Sequence, residues 1–107
     1  KAGKLRALAI SADKRQEGID VPTLKEQGVD VELFNWRSVF GAPGIKPEQQ
    51  KALVDIMDRM VNGPAWKDEL KKKDWTGIYL PGAEFGKFLG EEITRITGIL
   101  KDLGLAT

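Results

Sequence analysis

Apolar residues divide the chain into short continuous runs and longer runs with helical spacing. Residues 5–11 read LRALAIS and are nearly all apolar apart from Arg6. A run of this kind, bounded by glycine and polar residues, is typical of a strand buried on both faces of an α/β sheet. Residues 31–40 are rich in β-branched and aromatic side chains, and they are predicted to form the central strand. Residues 75–80 are predicted to form a further short strand.

Three stretches have the spacing of amphipathic helices. The first is predicted over Pro47–Asn62, where Pro47 suits the first turn and five apolar residues recur every 3.6 positions: Leu53, Ile56, Met57, Met60 and Val61. Pro64 opens a second, shorter helix. The third helix carries an apolar stripe over residues 85–103 that is wide enough to dock on a sheet, and Gly104 ends it.

A short helical turn is predicted in the polar connection over residues 13–28. Pro22 favours an extended conformation for Val21, and Thr23 stands three residues before Glu26, which is the spacing of a capping box. Gly28 ends the turn. We expect one or two turns over residues 23–27.

The order of these elements predicts the fold class. A strand, a turn, a central strand, two helices, a strand and a final helix give an α/β fold in which helices cover a small mixed sheet. A chain of 107 residues has room for one domain, so we expect a single α/β segment over residues 1–107.

Composition excludes several function classes. Lys and Arg number 17 against 16 Asp and Glu, and no basic stripe with interleaved aromatic residues occurs, so nucleic acid is not an expected partner. The sequence has no cysteine and no histidine, which removes zinc sites, thiol nucleophiles and histidine-based triads. We therefore expect no enzymatic activity, no metal and no cofactor.

Four residues are candidates for contact with a small-molecule ligand. Ser11 ends the first predicted strand, where open α/β sheets bind ligands; alternatively its hydroxyl bonds to the local backbone. Arg37 has a planar fork that can bind a carboxylate through two hydrogen bonds. Beside it, Trp36 offers an apolar wall and Asn35 a donor. The alternative is that Arg37 forms a structural ion pair and Trp36 belongs to the core.

Three segments together resemble a known family. They read GKLRALAIS followed by KR, then VPTLKEQG, and finally NWRSVFGAPG. In this order they resemble the extracytoplasmic solute receptors of the tripartite tricarboxylate transporter family, also called Bug proteins. The resemblance covers nearly the whole chain and implies the C-terminal third of a two-lobe protein with the type II periplasmic binding fold.

The resemblance also implies a function. A family receptor captures a small organic carboxylate in the periplasm and delivers it to the membrane subunits of a transporter. In such a protein Ser11, Asn35, Trp36 and Arg37 are the candidate ligand contacts within these residues. We further expect the chain alone to bind ligand poorly and to self-associate through residues 5–11 and the stripe over residues 85–103. The rival interpretation is a self-standing interaction or dimerisation module without a ligand.

Overall fold

A computed structural model describes residues 3–106, so the ends of the predicted domain, residues 1, 2 and 107, lie outside the described part. Its elements are a 3-10 turn over Lys25–Gln27 and three α-helices: α1 over Pro47–Asn62, α2 over Pro64–Lys72 and α3 over Gly82–Asp102. The chain divides into two compact units, Lys1–Ser38 and Val39–Thr107.

Backbone hydrogen bonds hold the first unit together around Ile10. The Ile10 N–H donates to Pro22 O and the Ile10 carbonyl accepts from Leu24 N–H, both at 3.0 Å. These bonds form a parallel bridge between Ile10 and Thr23. The N–H of Leu33 donates to Ser11 O at 2.8 Å, which brings a third segment to the same place. Thr23, 1% exposed, and Ala12, 6% exposed, are buried here.

The predicted α/β fold, with its small mixed sheet and its place in a type II periplasmic binding fold, is wrong. Residues 5–11, 31–40 and 75–80 form no strand, and residues 3–106 contain one isolated β-bridge in place of a sheet. Leu5 is 97% exposed and Leu8 70% exposed, so the first apolar run is not buried either. A strand needs a neighbour along its length to pair its N–H and C=O groups. Beyond Ile10 and Ser11 the first run has no such ladder.

The helix predictions are confirmed. Helix α1 begins at Pro47. Proline has no N–H group, and the N–H of a first helical residue has no partner within the helix, so nothing is lost there. The Lys46 N–H donates to Gln49 Oε1 at 2.8 Å. Extended backbone at Gly63 separates α1 from α2, which begins at Pro64. Gly104 has a φ of +70° and follows the end of α3, as the sequence predicts.

Contacts between side chains tie segments of the second unit to one another. Helices α1 and α2 pack together. The Tyr79 hydroxyl donates to Asp58 Oδ1 at 2.6 Å and links the segment before α3 to α1. The ring of Phe85 on α3 lies 5.7 Å from that of Phe40 and 6.2 Å from that of Phe88, in tilted arrangements that aromatic pairs favour.

Large apolar side chains of the helical unit are exposed. Ile56 on α1 is 60% exposed, Ile93 on α3 is 59% exposed, and Leu103 at the end of α3 is 65% exposed. Within the described part of the chain, none of the three α-helices contains a buried residue. Apolar side chains that the sequence pattern assigns to a core are therefore largely in contact with solvent.

Candidate functional site

Ser11 lies against Leu33, and two hydrogen bonds join them. The Leu33 N–H donates to Ser11 O at 2.8 Å, and Ser11 Oγ donates back to Leu33 O at 2.8 Å. The hydroxyl thus bonds to backbone, but to backbone 22 residues away in sequence. A serine hydroxyl has one donor and two acceptor lone pairs, so in this arrangement it can accept a hydrogen bond from a ligand but cannot donate to one.

The pairing places Ser11 near the other three candidates. Asn35, Trp36 and Arg37 follow Leu33 by two to four residues, and an extended chain advances about 3.3 Å per residue. Asn35 and Arg37 are exposed, while Trp36 is half-buried. The structure thus brings two segments that are distant in sequence to one part of the first unit.

The first unit also contains a network of charged side chains. Arg15 donates through Nε to Glu26 Oε1 at 3.0 Å and through Nη1 to Asp20 Oδ1 at 2.9 Å. The Thr23 N–H donates to Glu26 Oε2 at 2.7 Å, and this bond, together with Arg15, lowers the pKa of the Glu26 carboxyl below its usual value. Arg15 is therefore part of a structural network.

Two further contacts attach the turn to its neighbours. Gln27 Nε2 donates to Leu8 O at 3.1 Å, and Lys25 Nζ donates to Glu32 Oε2 at 2.6 Å. The hydrogen bond to Glu32 raises the pKa of the Lys25 ammonium. Because Glu32 immediately precedes Leu33, the Lys25 contact holds the turn beside the segment that leads to Asn35.

Sequence reasoning found the capping box but missed the residues that brace it. The spacing of Thr23 and Glu26 is a recognisable local pattern. Arg15 reaches Glu26 across eleven residues, and Lys25 reaches Glu32 across seven. Pairings at these separations depend on how the loop folds, and no period in the sequence marks them.

The second unit contains a groove. An open groove of about 470 Å³ runs where α1 meets α2, and its mainly apolar wall includes Met60, Pro64 and Trp66 between Arg59 and Glu69. None of the four predicted site residues lines it.

Within residues 3–106 no cluster of acidic side chains is arranged to hold a metal ion. No described helix is long and apolar enough to cross a membrane.

Comparison with known proteins identifies the family. The model of the tripartite tricarboxylate transporter family receptor matches residues 1–105. The chain belongs to this receptor family. A curated relative, the UPF0065 protein in gbd 5'region of Cupriavidus necator, is 29% identical over 105 residues. The family resemblance carried by the three motif segments is therefore confirmed.

The matched family is one of receptors for tripartite tricarboxylate transporters. It is a family of transport receptors rather than of enzymes, and its members act outside the cytoplasm. The alignment covers 97% of this chain but only 32% of the Cupriavidus protein, so the chain spans about a third of that relative's length. No solved structure matches the chain significantly.

Proposed function

We propose that this chain is part of a periplasmic receptor that captures a small organic carboxylate for a tripartite transporter. The family match over residues 1–105 is the observation that carries the proposal. In this proposal the chain forms the C-terminal third of a longer, two-lobe receptor, whose partners are the carboxylate and the membrane subunits of the transporter. The chain itself has no catalytic role and requires no cofactor.

The ligand lies beside Ser11, Asn35, Trp36 and Arg37. A carboxylate needs hydrogen-bond donors, and the Ser11 hydroxyl already donates to Leu33 O. Arg37 therefore supplies the principal charge, because a guanidinium can donate two parallel hydrogen bonds to one carboxylate. Asn35 adds a neutral donor, Trp36 covers the carbon skeleton, and Ser11 fixes the position of the segment and accepts a hydrogen bond from a hydroxylated ligand.

The chain alone binds this ligand weakly. Asn35 and Arg37 are exposed, and a charged hydrogen bond surrounded by water contributes much less than the same bond in a closed cleft. We expect a dissociation constant on the order of 1 mM. Affinity in a complete receptor would be higher because further walls would exclude water.

Nuclear magnetic resonance titration of the ¹⁵N-labelled chain tests the proposal. Citrate and succinate are added at constant ionic strength, with neutral succinamide as the matched control. We expect saturable shifts of the Asn35 and Arg37 signals with both acids and none with the amide. Equal shifts with the amide, or no saturable shift up to about 20 times the expected constant, would count against carboxylate capture.

A second candidate function is self-association, the rival interpretation of the sequence. The specific observation in its favour is the exposure of apolar side chains along α3, where Ile93 is 59% exposed and Ile99 is 44% exposed. A stable interface needs about 800 Å² from each partner. Sedimentation of the purified chain over a hundredfold range of concentration tests this candidate, and a monomer throughout would exclude it.

A further inference from the structure

The Ser11 hydroxyl has its proton committed to one partner. Ser11 Oγ lies 2.8 Å from Leu33 O, and a carbonyl oxygen can only accept, so the hydroxyl is the donor. The Leu33 N–H returns a bond of 2.8 Å to Ser11 O. The hydroxyl cannot turn towards another acceptor without giving up its bond to Leu33. It therefore offers a ligand its lone pairs alone.

An acceptor at this position sets a condition on the ligand. An ionised carboxylate also has only acceptor oxygens, and two acceptors that face each other without a proton between them repel. The part of the ligand that lies against Ser11 Oγ must therefore carry an O–H or N–H group, and the carboxylate must lie against the donors of Asn35 and Arg37. Ser11 is half-buried, so its oxygen is within reach of a ligand but only partly hydrated.

We propose that Ser11 selects 2-hydroxy carboxylates, accepting a hydrogen bond from the ligand's hydroxyl while Arg37 binds the adjacent carboxylate. This inference rests on the proposed carboxylate site and names its substrate class. In a 2-hydroxy acid the hydroxyl and the carboxylate stand on neighbouring carbons, so the ligand presents a donor and two acceptors side by side. The site presents the complementary set, with an acceptor on Ser11 and donors on the segment that follows Leu33.

The charges around this position favour a hydroxyl over an ammonium group as the donor. An ammonium group carries a full charge, and its removal from water is costly without an acidic partner. Glu32, which precedes Leu33, already binds Lys25 Nζ at 2.6 Å, so that pair offers no net charge to an ammonium group. Asp13 is exposed, and solvent screens its charge. Ser11 Oγ is neutral and is matched by a neutral donor.

Titration with three four-carbon dicarboxylates tests the substrate class. Succinate, L-malate and L-aspartate share a carbon skeleton and differ at carbon 2, which carries hydrogen alone, a hydroxyl or an ammonium group. One hydrogen bond changes affinity about fivefold. The ¹⁵N-labelled chain should therefore bind malate at least about threefold more tightly than succinate, and aspartate no more tightly than succinate. Aspartate as the tightest ligand would overturn the choice of a hydroxyl.

Two matched variants test the residue. The sequence has two serines, and Ser38 is exposed beside Arg37, so Ser38→Ala is the control for Ser11→Ala. Loss of the link to Leu33 alone would weaken malate and succinate by the same factor, so the ratio of their two dissociation constants isolates the contact with the hydroxyl. S11A should bring this ratio close to one, and S38A should change it less than about twofold. An S11A chain that keeps the wild-type preference would overturn the role of Ser11.

The outcomes separate this inference from the proposed function. If the wild-type chain binds malate and succinate with equal constants, the selection of 2-hydroxy acids is wrong and carboxylate capture stands. If neither acid gives saturable shifts, both proposals are wrong. The comparison of acids on the wild-type chain needs no variant, so it decides the substrate class even where S11A disturbs the first unit.

Discussion

The side chains of Thr23 and Glu26 each accept a hydrogen bond from the backbone N–H group of the other residue. The Glu26 N–H donates to Thr23 Oγ1 at 3.1 Å, and the Thr23 N–H donates to Glu26 Oε2 at 2.7 Å. The 3-10 turn over Lys25–Gln27 follows directly. Since Thr23 also faces Ile10 in the parallel bridge, this exchange anchors the segment that carries Ser11.

Thr23→Val should destabilise the first unit. Valine has nearly the shape of threonine but no hydroxyl, so the Glu26 N–H loses its acceptor. Thr23 itself is 1% exposed, so water cannot easily replace its hydroxyl. Loss of a threonine cap costs about 1 kcal/mol. Urea unfolding followed by the Ala12 signal measures the change, and Thr97→Val on α3 is the control. Equal stability of both variants would show that the cap is dispensable.

The sequence predicts local structure well and long-range pairing poorly. The bounds of α1 and the capping box depend on residues within four positions of one another, and both are as predicted. The predicted strands over residues 5–11 and 31–40 depended on neighbours that the pattern could not supply. An apolar run shows that a segment suits a sheet, but the ladder of hydrogen bonds must come from elsewhere.

The candidate site was likewise predictable in its residue types but not in its long-range contacts. The sequence singles out Ser11 and Arg37 by residue type, yet the link through Leu33 is visible only in the structure. The two hydrogen bonds between Ser11 and Leu33 span 22 residues, and no motif predicts that separation.

Acid should weaken the first unit partly through Glu26. Its pKa in the folded chain lies below the ordinary 4.5, chiefly because the Thr23 N–H bonds to the carboxylate and Arg15 pairs with it. The stabilisation is present above pH 4.5 and is lost as the pH falls through the lower folded value. Glu26→Gln keeps an acceptor but cannot titrate, so its stability should depend less on pH between about 5 and 3. Parallel pH profiles for the variant and the wild type would contradict this account.

Tyr79 should ionise at unusually high pH. Its hydrogen bond to the Asp58 carboxylate raises the pKa of the phenol to about 12. The sequence has one tyrosine, so phenolate absorbance during an alkaline titration reports Tyr79 alone. Asp58→Asn should move the midpoint towards 10, while Asp55→Asn, which removes the partner of Lys51, should leave it unchanged. A midpoint near 10 in the wild type would refute the bond.

Two glycine substitutions should have opposite effects. Gly28 ends the 3-10 turn with a φ of +85°, a conformation that costs an alanine about 1 kcal/mol or more. Gly98 lies within α3 with open space around an added Cβ, so Gly98→Ala should stabilise the helix by up to about 1 kcal/mol. Thermal unfolding by circular dichroism measures both variants. A stabilising G28A, or a destabilising G98A, would contradict the backbone assignment.

Arg37 carries most of the proposed contact with the carboxylate, and a citrate titration of two charge-matched variants measures its contribution. Arg37→Gln removes the proposed carboxylate partner, and Arg6→Gln removes the same charge from an exposed position outside the site. An exposed charge pair contributes up to about 1 kcal/mol, so R37Q should weaken citrate binding about fivefold, while R6Q should change it less than about twofold. Equal affinities for the two variants would contradict carboxylate capture through Arg37.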